Sequence, residues 1–206
     1  LHSFPTRRSS DLKSPKAMIL YLGSTGESSY TKGLAIALNN TGTQCWSNIV
    51  TGILTNRIPN NLATANSDVT GIDNTNSIIA ASTTSAANDA KNYASTVTGC
   101  SQWFLPAIGQ WIKVLNYYIA NISTSGTLGF VTTGTVANSV LSTINAYLLS
   151  AGGESSILPD NTGYWTSSEY SSPGLGVSIG FSTSSGISIG TNSNSITHRV
   201  RPFLAF

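Results

Sequence analysis

Charge is what this sequence has least of. Lys and Arg number 10, Asp and Glu 8, and charged residues make up 9% of the 206 positions, against roughly 25% in an ordinary soluble domain. Ten scattered cations form no basic stripe that could neutralise phosphates, so no nucleic-acid partner is expected. Histidine and cysteine occur twice each and methionine once. No apolar run approaches the roughly 20 residues that a membrane-spanning helix needs, so no membrane insertion is expected within this chain. What takes the place of charge is small and polar: Ser, Thr and Asn together make 75 of the 206 residues. The hydrophobic fraction is 40%, with 4 Trp, 8 Tyr and 6 Phe. That is enough for one sizeable core and is not the composition of a disordered chain.

Residues 1–12, LHSFPTRRSSDL, show no hydrophobic period. From His2 onward they resemble one reading frame of a sequencing-library adapter, translated at the end of an assembled fragment. On that reading they are a disordered artefact outside the fold, and residues 13–206 form a single domain. The natural N-terminus is then missing, and any leader, anchor or upstream domain with it.

Along the chain, Ala17–Leu22 (AMILYL) is a short apolar run closed by Gly-Ser-Thr-Gly, which predicts a strand and a turn. Leu34–Leu38 is a second strand, stopped by Asn39-Asn40-Thr41-Gly42. Residues 47–76 read as a long excursion with little regular structure. Ala86, Ala87, Ala90 and Ala94 sit at helical spacing within Ser85–Ala94, with Thr84 or Ser85 placed to cap them. The strongest helix signal follows Pro106, where Ile108, Trp111, Ile112, Leu115, Ile119 and Ile122 make one apolar stripe. A third helix is predicted from Thr135 to Ser150, with Val136, Val140, Leu141, Ile144 and Leu148 inside and Gly152-Gly153 as its stop. After Gly163 the pattern changes to short strands: YWTSS, VSIGF, ISIG and RVRPFLAF. Helices lying between early and late strands predict an α+β domain.

The chemistry-bearing residues are sparse. His2 falls in the adapter-like leader, and His198 alone makes no metal site. A lone strand histidine is expected on the surface or hydrogen-bonded, not as a ligand. The remaining acids, Glu27, Asp68, Asp73, Asp89, Glu154, Asp160 and Glu169, are scattered, with no pair nominated for glycosidase chemistry. The glycine-rich turns match neither a Walker loop nor a dinucleotide fingerprint. The expectation is therefore a non-enzyme with no cofactor and no metal. Cys45 and Cys100 fit either a disulfide, as in extracellular proteins, or two buried thiols.

Four segments, in order, carry a family resemblance. Lys32-Gly33-Leu34-Ala35-Ile36-Ala37-Leu38 precedes Cys45-Trp46, and Asn74-Thr75-Asn76-Ser77-Ile78-Ile79 precedes the Ala-rich helix. Trp103-Phe104-Leu105-Pro106-Ala107-Ile108-Gly109-Gln110-Trp111 is similar to a W-[YF]-L-P-S-x-x-E-W signature. Tyr164-Trp165-Thr166-Ser167-Ser168-Glu169 and the terminal Arg199-Val200-Arg201-Pro202 complete the set. Together they resemble the C-type-lectin-fold domains of bacterial collagen-like adhesins and the variable proteins of diversity-generating retroelements. The resemblance covers nearly all of residues 17–206. It departs at Gln110, where the signature has Glu, and at Val177, where a Trp is common. It implies a C-type lectin-like fold: small twisted antiparallel sheets, two to three helices, and the N- and C-terminal strands paired. Trp111 and Trp165 are expected as core anchors, and the VRP segment as a strand near a sheet edge, where proline is tolerated.

The same resemblance directs attention to the tail. Between Glu169 and Arg199 there is no formally charged residue. Ser167, Ser168, Tyr170, Ser171, Ser172, Ser178, Ser182, Ser188, Thr191, Asn192 and Asn194 are the expected ligand-binding residues, of the types that antibody loops use for adaptable contact. These same types also build ordinary solvated turns. The implied function is binding of a protein or glycan at a bacterial surface or on a phage particle, outside the cell. In retroelement-diversified proteins this region is rewritten at adenines, and the tail composition fits that spectrum. Two alternatives stay open: a glycan-binding adhesin domain of fixed specificity, and an enzyme related to the formylglycine-generating group. The latter would need Cys45 and Cys100 to act together.

Overall fold

The structure is a computed structural model and describes residues 15–94, 96–119, 122–154, 163–182 and 184–206. The leader 1–12, Asp160 and the side chains of residues 134–137, Val136 among them, lie outside what it describes. The chain opens with β1 (Ala17–Leu22), β2 (Gly33–Ala37) and β3 (Gly42–Cys45). Helices α1 (Leu62–Ser67), α2 (Gly71–Ala81), α3 (Ala86–Lys91), α4 (Ile108–Tyr118) and α5 (Gly134–Ser150) follow. Strands β4 (Tyr164–Glu169), β5 (Leu175–Ser182), β6 (Gly186–Ser193), β7 (Thr197–Val200) and β8 (Phe203–Ala205) complete it. The α+β class is as the sequence predicts.

The strands form two sheets, one ordered β1-β2-β8 and the other β3-β7-β4-β5-β6. Pairing is antiparallel except between β4 and β7, which run parallel at Tyr164 and Arg199. The resemblance implied paired N- and C-terminal strands, and the structure corrects this: β1 and β8 do not pair. Strand β2 lies between them, with Leu34 opposite Ala205 and Ile36 opposite Phe203. The VRP segment is not itself an edge strand: Val200 ends β7, which lies between β3 and β4, and Arg201-Pro202 cross to β8 at the edge of the other sheet. Arg201 is fully buried, and its Nη1 donates to the carbonyls of Ala37 (3.0 Å) and Leu38 (2.8 Å). Pro202, which has no N–H to offer a ladder, accepts from the Ala37 amide through its carbonyl.

The described helices number five, not two or three. Helices α1 and α2 lie where the sequence predicted little regular structure. Asn61 caps α1, its side chain accepting from the Thr64 amide at 3.0 Å. Helix α2 buries Asn74 and Thr75 beside Ile78, so its inward face lacks a continuous apolar stripe. The Thr75 hydroxyl exchanges hydrogen bonds with the backbone of Leu105, 3.0 and 3.2 Å away. Ser85 caps α3. Helix α4 stops at Tyr118, one residue before Ile119, which turns extended yet stays buried along with Ile122. At the end of α5, Gly152 (φ +83°) turns the chain, with Gly153 N–H bonding the Leu148 carbonyl and Gly152 N–H that of Leu149. This double bond pattern stops the helix as the glycine pair predicted.

The five-stranded sheet is packed on both faces at its β7–β4 centre. Trp111 of α4 meets Phe203 (4.7 Å between ring centres), Phe181 (5.8 Å) and Tyr164 (6.2 Å) on one side. Trp165 lies on the other side with Trp46, Leu54, Ile78, Leu105, Val200 and the alanines of α3. Small side chains at Ala86, Ala87 and Ala90 leave room for the two indoles. Both Trp111 and Trp165 are core anchors, at 1% and 0% exposure. Each such burial contributes roughly 1.5–3 kcal/mol or more from apolar area.

Candidate functional site: the outer face of the β5–β6 hairpin

Strands β5 and β6 pair over eight positions, from Leu175 opposite Ser193 to Ser182 opposite Gly186. Alternation places Val177, Ile179, Phe181, Ile187 and Ile189 in the main core. On the outer face the opposite pairs are Gly176 with Asn192, Ser178 with Gly190, Gly180 with Ser188, and Ser182 with Gly186. Every pair sets a glycine against a serine or asparagine. Gly176, Ser178 and Gly186 are buried, so the accessible part is a low surface of hydroxyls, one amide and backbone at Gly180, Ser182, Ser188, Gly190 and Asn192. Gly176 is required by packing: a Cβ there would stand 2.6 Å from Trp46 and 3.0 Å from Trp165.

The expected binding residues divide sharply. Ser182, Ser188 and Asn192 share the outer face and are partly exposed, while Ser171 and Ser172 are exposed in the adjoining turn. Tyr170 is half-buried against the core. Thr191, opposite Val177, is partly exposed but belongs to the other face. Ser167, Ser168, Ser178 and Asn194 are buried, so the sequence placed them on the surface wrongly. Strand β4 runs between two packed layers, and its polar groups are engaged internally. Ser168 Oγ donates to Asp68 Oδ2 at 2.5 Å and accepts from the Ile108 amide at 2.9 Å. Ser178 Oγ accepts from Asn192 Nδ2 at 2.8 Å, and Asn194 Nδ2 donates to the Ile49 carbonyl at 2.9 Å.

Residues from the 47–58 loop join this region, and no local pattern announced them. Ile58 bridges to Tyr170, and Arg57 Nη1 donates to the Ser171 carbonyl at 3.2 Å. A cavity of about 410 Å³ opens beside them, lined by Thr55, Arg57, Thr64, Ser67, Asp68 and Thr70 among others. The fully buried Glu169 carboxylate, which does not line this cavity, receives the amides of Ile53 and Leu54. Burial nevertheless pushes its proton affinity above the ordinary range. Glu27 is treated alike by burial, while accepting from Gln110 Nε2 (2.8 Å) and the Ile72 amide (3.0 Å).

His198 departs from the expected surface or hydrogen-bonded position. Its ring lies edge-on to Trp165 at 4.4 Å, and neither ring nitrogen has a hydrogen-bond partner among the described residues. Burial lowers its pKa. Cys45 and Cys100 are free, half-buried thiols. Cys45 Sγ contacts Gln44 and Thr84, whereas Cys100 packs in the cluster of Trp103 and Leu204, so they share none of these neighbours. Among the described residues, no three His, Cys, Asp or Glu are grouped to hold a metal ion, and no helix is long and apolar enough to cross a membrane.

No protein-family model matches the chain, and no curated protein matches it either. Its fold is similar to that of a fimbrial protein from Bacteroides ovatus, with a TM-score of 0.55 at 13% identity. The alignment covers 96% of this chain and 46% of that one, so the chain spans less than half the length of its structural neighbour. At that identity the likeness is one of fold: an α+β arrangement shared with part of a fimbrial protein.

Proposed function

We propose that the chain is a non-catalytic, adhesin-like binding module displayed outside the cell, which contacts a protein or glycan through the outer face of β5–β6 and the turn at 170–172. The observation that carries this reading is the pairing of glycine with serine or asparagine along that face, which leaves Gly180, Ser182, Ser188, Gly190 and Asn192 partly exposed. Such a surface excludes no partner by charge and offers many short hydrogen-bonding groups at small cost in side-chain entropy. The fold likeness to a fimbrial protein supports surface display. The burial of Glu27 and Glu169 and their internal hydrogen bonds support a non-catalytic role, because acids held this way are not presented to a substrate.

Membership of the C-type-lectin class extends the proposal and rests on the four motif segments. Trp46 Nε1 donates to the Thr166 carbonyl at 2.7 Å, which joins two of these segments, and Phe104 of a third bridges to Phe203, next to the VRP residues. Diversification of the tail is testable in DNA: an adenine-rich repeat of the tail beside a reverse transcriptase gene supports it, and its absence from an intact locus removes it. The binding face is tested by Gly190→Arg combined with Ser188→Arg. A Cβ at Gly190 meets nothing closer than 3.9 Å, so the fold tolerates the change. Binding to immobilised matrix proteins and glycans is expected to fall at least about tenfold with an unchanged melting temperature. Full retention of binding overturns the assignment.

A further inference from the structure

We infer that a second surface, where β1, α1 and α4 meet, is an oligosaccharide-binding site. A cavity of about 580 Å³ lies there, lined by Tyr21, Asn66, Ser67, Val69, Lys113, Asn116 and Tyr117. Helix α4 supplies Lys113, Asn116 and Tyr117, at spacings of three and four that put them on one face. Tyr117 is 59% exposed, yet it is not loose. Its ring stands T-shaped to Tyr21 (6.0 Å, 89°) and to Tyr118 (5.4 Å, 79°). Both of those rings are partly buried and packed on the core. Tyr21 is itself confined by Gly23, where a Cβ would come within 2.7 Å of its hydroxyl. The exposed ring is thus held in place before any ligand arrives, which lowers the entropy cost of using it.

The polar lining suits a sugar. A pyranose ring presents a C–H face that packs on an aromatic ring and a rim of hydroxyls that both donate and accept. Asn66 and Asn116 each offer a donor and an acceptor at one amide. Lys113 Nζ is anchored by the Ser24 carbonyl at 2.9 Å, which leaves two of its three N–H groups to face the cavity. Val69 is the single aliphatic lining residue, and it is half-buried, so the site lacks the deep apolar floor that anchors a peptide side chain. Ser67 also lines the 410 Å³ cavity that contains Arg57 and Asp68. The two cavities thus flank this residue, one with Lys113 and the other with Arg57 in its lining. The site uses none of the hairpin residues and does not depend on the hairpin reading.

The test is a microarray of bacterial, mucin and plant oligosaccharides, probed with the wild-type chain, Tyr117→Ala, Asn116→Ala and Gly190→Arg. Wild type is expected to bind a defined set of glycans. Tyr117→Ala is expected to weaken that binding at least about tenfold, the order lost with one aromatic anchor, and Asn116→Ala less. Asn116→Ala leaves the melting temperature unchanged and Tyr117→Ala lowers it only slightly, because both side chains are exposed and Tyr117 gives up no more than its edge contacts to Tyr21 and Tyr118. Glycans lost with Tyr117→Ala and kept with Gly190→Arg read this site, whereas glycans lost with Gly190→Arg and kept with Tyr117→Ala read the hairpin face, so the two failures are distinguishable. Wild type that binds no glycan, or binding that survives Tyr117→Ala with Asn116→Ala, overturns the site. So does self-association through Tyr117 without glycan binding, which would mark a protein interface.

Discussion

Glu169 and Leu54 are joined across 115 positions by a 2.6 Å hydrogen bond from the Leu54 backbone amide to the Glu169 carboxylate. The neighbouring Ile53 amide binds the same oxygen at 2.9 Å. One buried acid therefore fixes the 47–58 loop against the end of β4, at the point where the chain enters the binding turn. Glu169→Ala leaves two amides without an acceptor, and unfolding in urea is expected to show a loss of roughly 2–4 kcal/mol. Glu169→Gln keeps one acceptor oxygen and is expected to lose less. Equal stability of Glu169→Ala and wild type would falsify this role.

The pH dependence follows from burial. Glu27 and Glu169 both hold their protons above the ordinary value of 4.5. The native state then binds protons more readily than the unfolded chain. Their contribution to stability is fully present below the unfolded value and is lost as pH rises through the raised native ones. Wild type should therefore lose stability between pH 4.5 and neutrality relative to the Glu27→Gln, Glu169→Gln double variant. Urea titrations of both proteins across that window measure the difference. A wild type that gains relative stability as pH rises contradicts the sign.

Gln110 stands where the resembled signature has glutamate, and the structure supplies a reason. Its amide nitrogen donates to Glu27 at 2.8 Å, while its oxygen accepts from the Ala107 amide at 3.0 Å. Gln110→Glu would set two buried carboxyls against each other and remove the donor. A loss of about 2–4 kcal/mol is expected near neutral pH. Acidification restores it, because one carboxyl of the pair takes up a proton and donates. Thermal melts at two pH values test this, and a pH-independent loss counts against it.

Gly176→Ala and Gly190→Ala form a contrast on one face. The first drives a methyl to 2.6 Å from Trp46, and overpacking of this kind costs about 1–3 kcal/mol. The second has its nearest neighbour at 3.9 Å and is expected to be almost neutral. Chemical denaturation of the two variants side by side settles whether the Trp46–Trp165 layer demands the glycine.

Strand β1 and helix α4 are legible because each carries a clean period and a clear stop: AMILYL before Gly23, and the Trp111 stripe after Pro106. Helix α2 is not, because Asn74 and Thr75 occupy its buried face, Asn74 satisfied by Asp68 and Thr70 just upstream and Thr75 by the Leu105 backbone 30 residues on, so polar residues stand where a stripe would be apolar. The pairing of β8 with β2 was equally hidden, since a ladder's partner is chosen by contacts far along the chain. For the binding face, composition pointed to the right segment. It could not separate Ser188 from Ser168, since a serine in a strand covered on both sides looks the same in sequence as one facing water. The Tyr117 cavity had no sequence signal at all, as its lining comes from three separate elements.

The three-stranded sheet has a mechanical consequence. Strands β1 and β8 are both antiparallel to β2, so they run parallel to each other on either side of it. Ala17 lies beside Ala37 at one end of β2, and the Phe206 amide bonds to Gly33 at the other. A pull applied at Ala17 and Phe206 is then directed along the strands, across hydrogen bonds that lie perpendicular to it. Both ladders are strained together, in shear, and no bond can open ahead of the rest as in a peeled hairpin. Tension applied at these two points is borne in shear by the smaller of the two sheets.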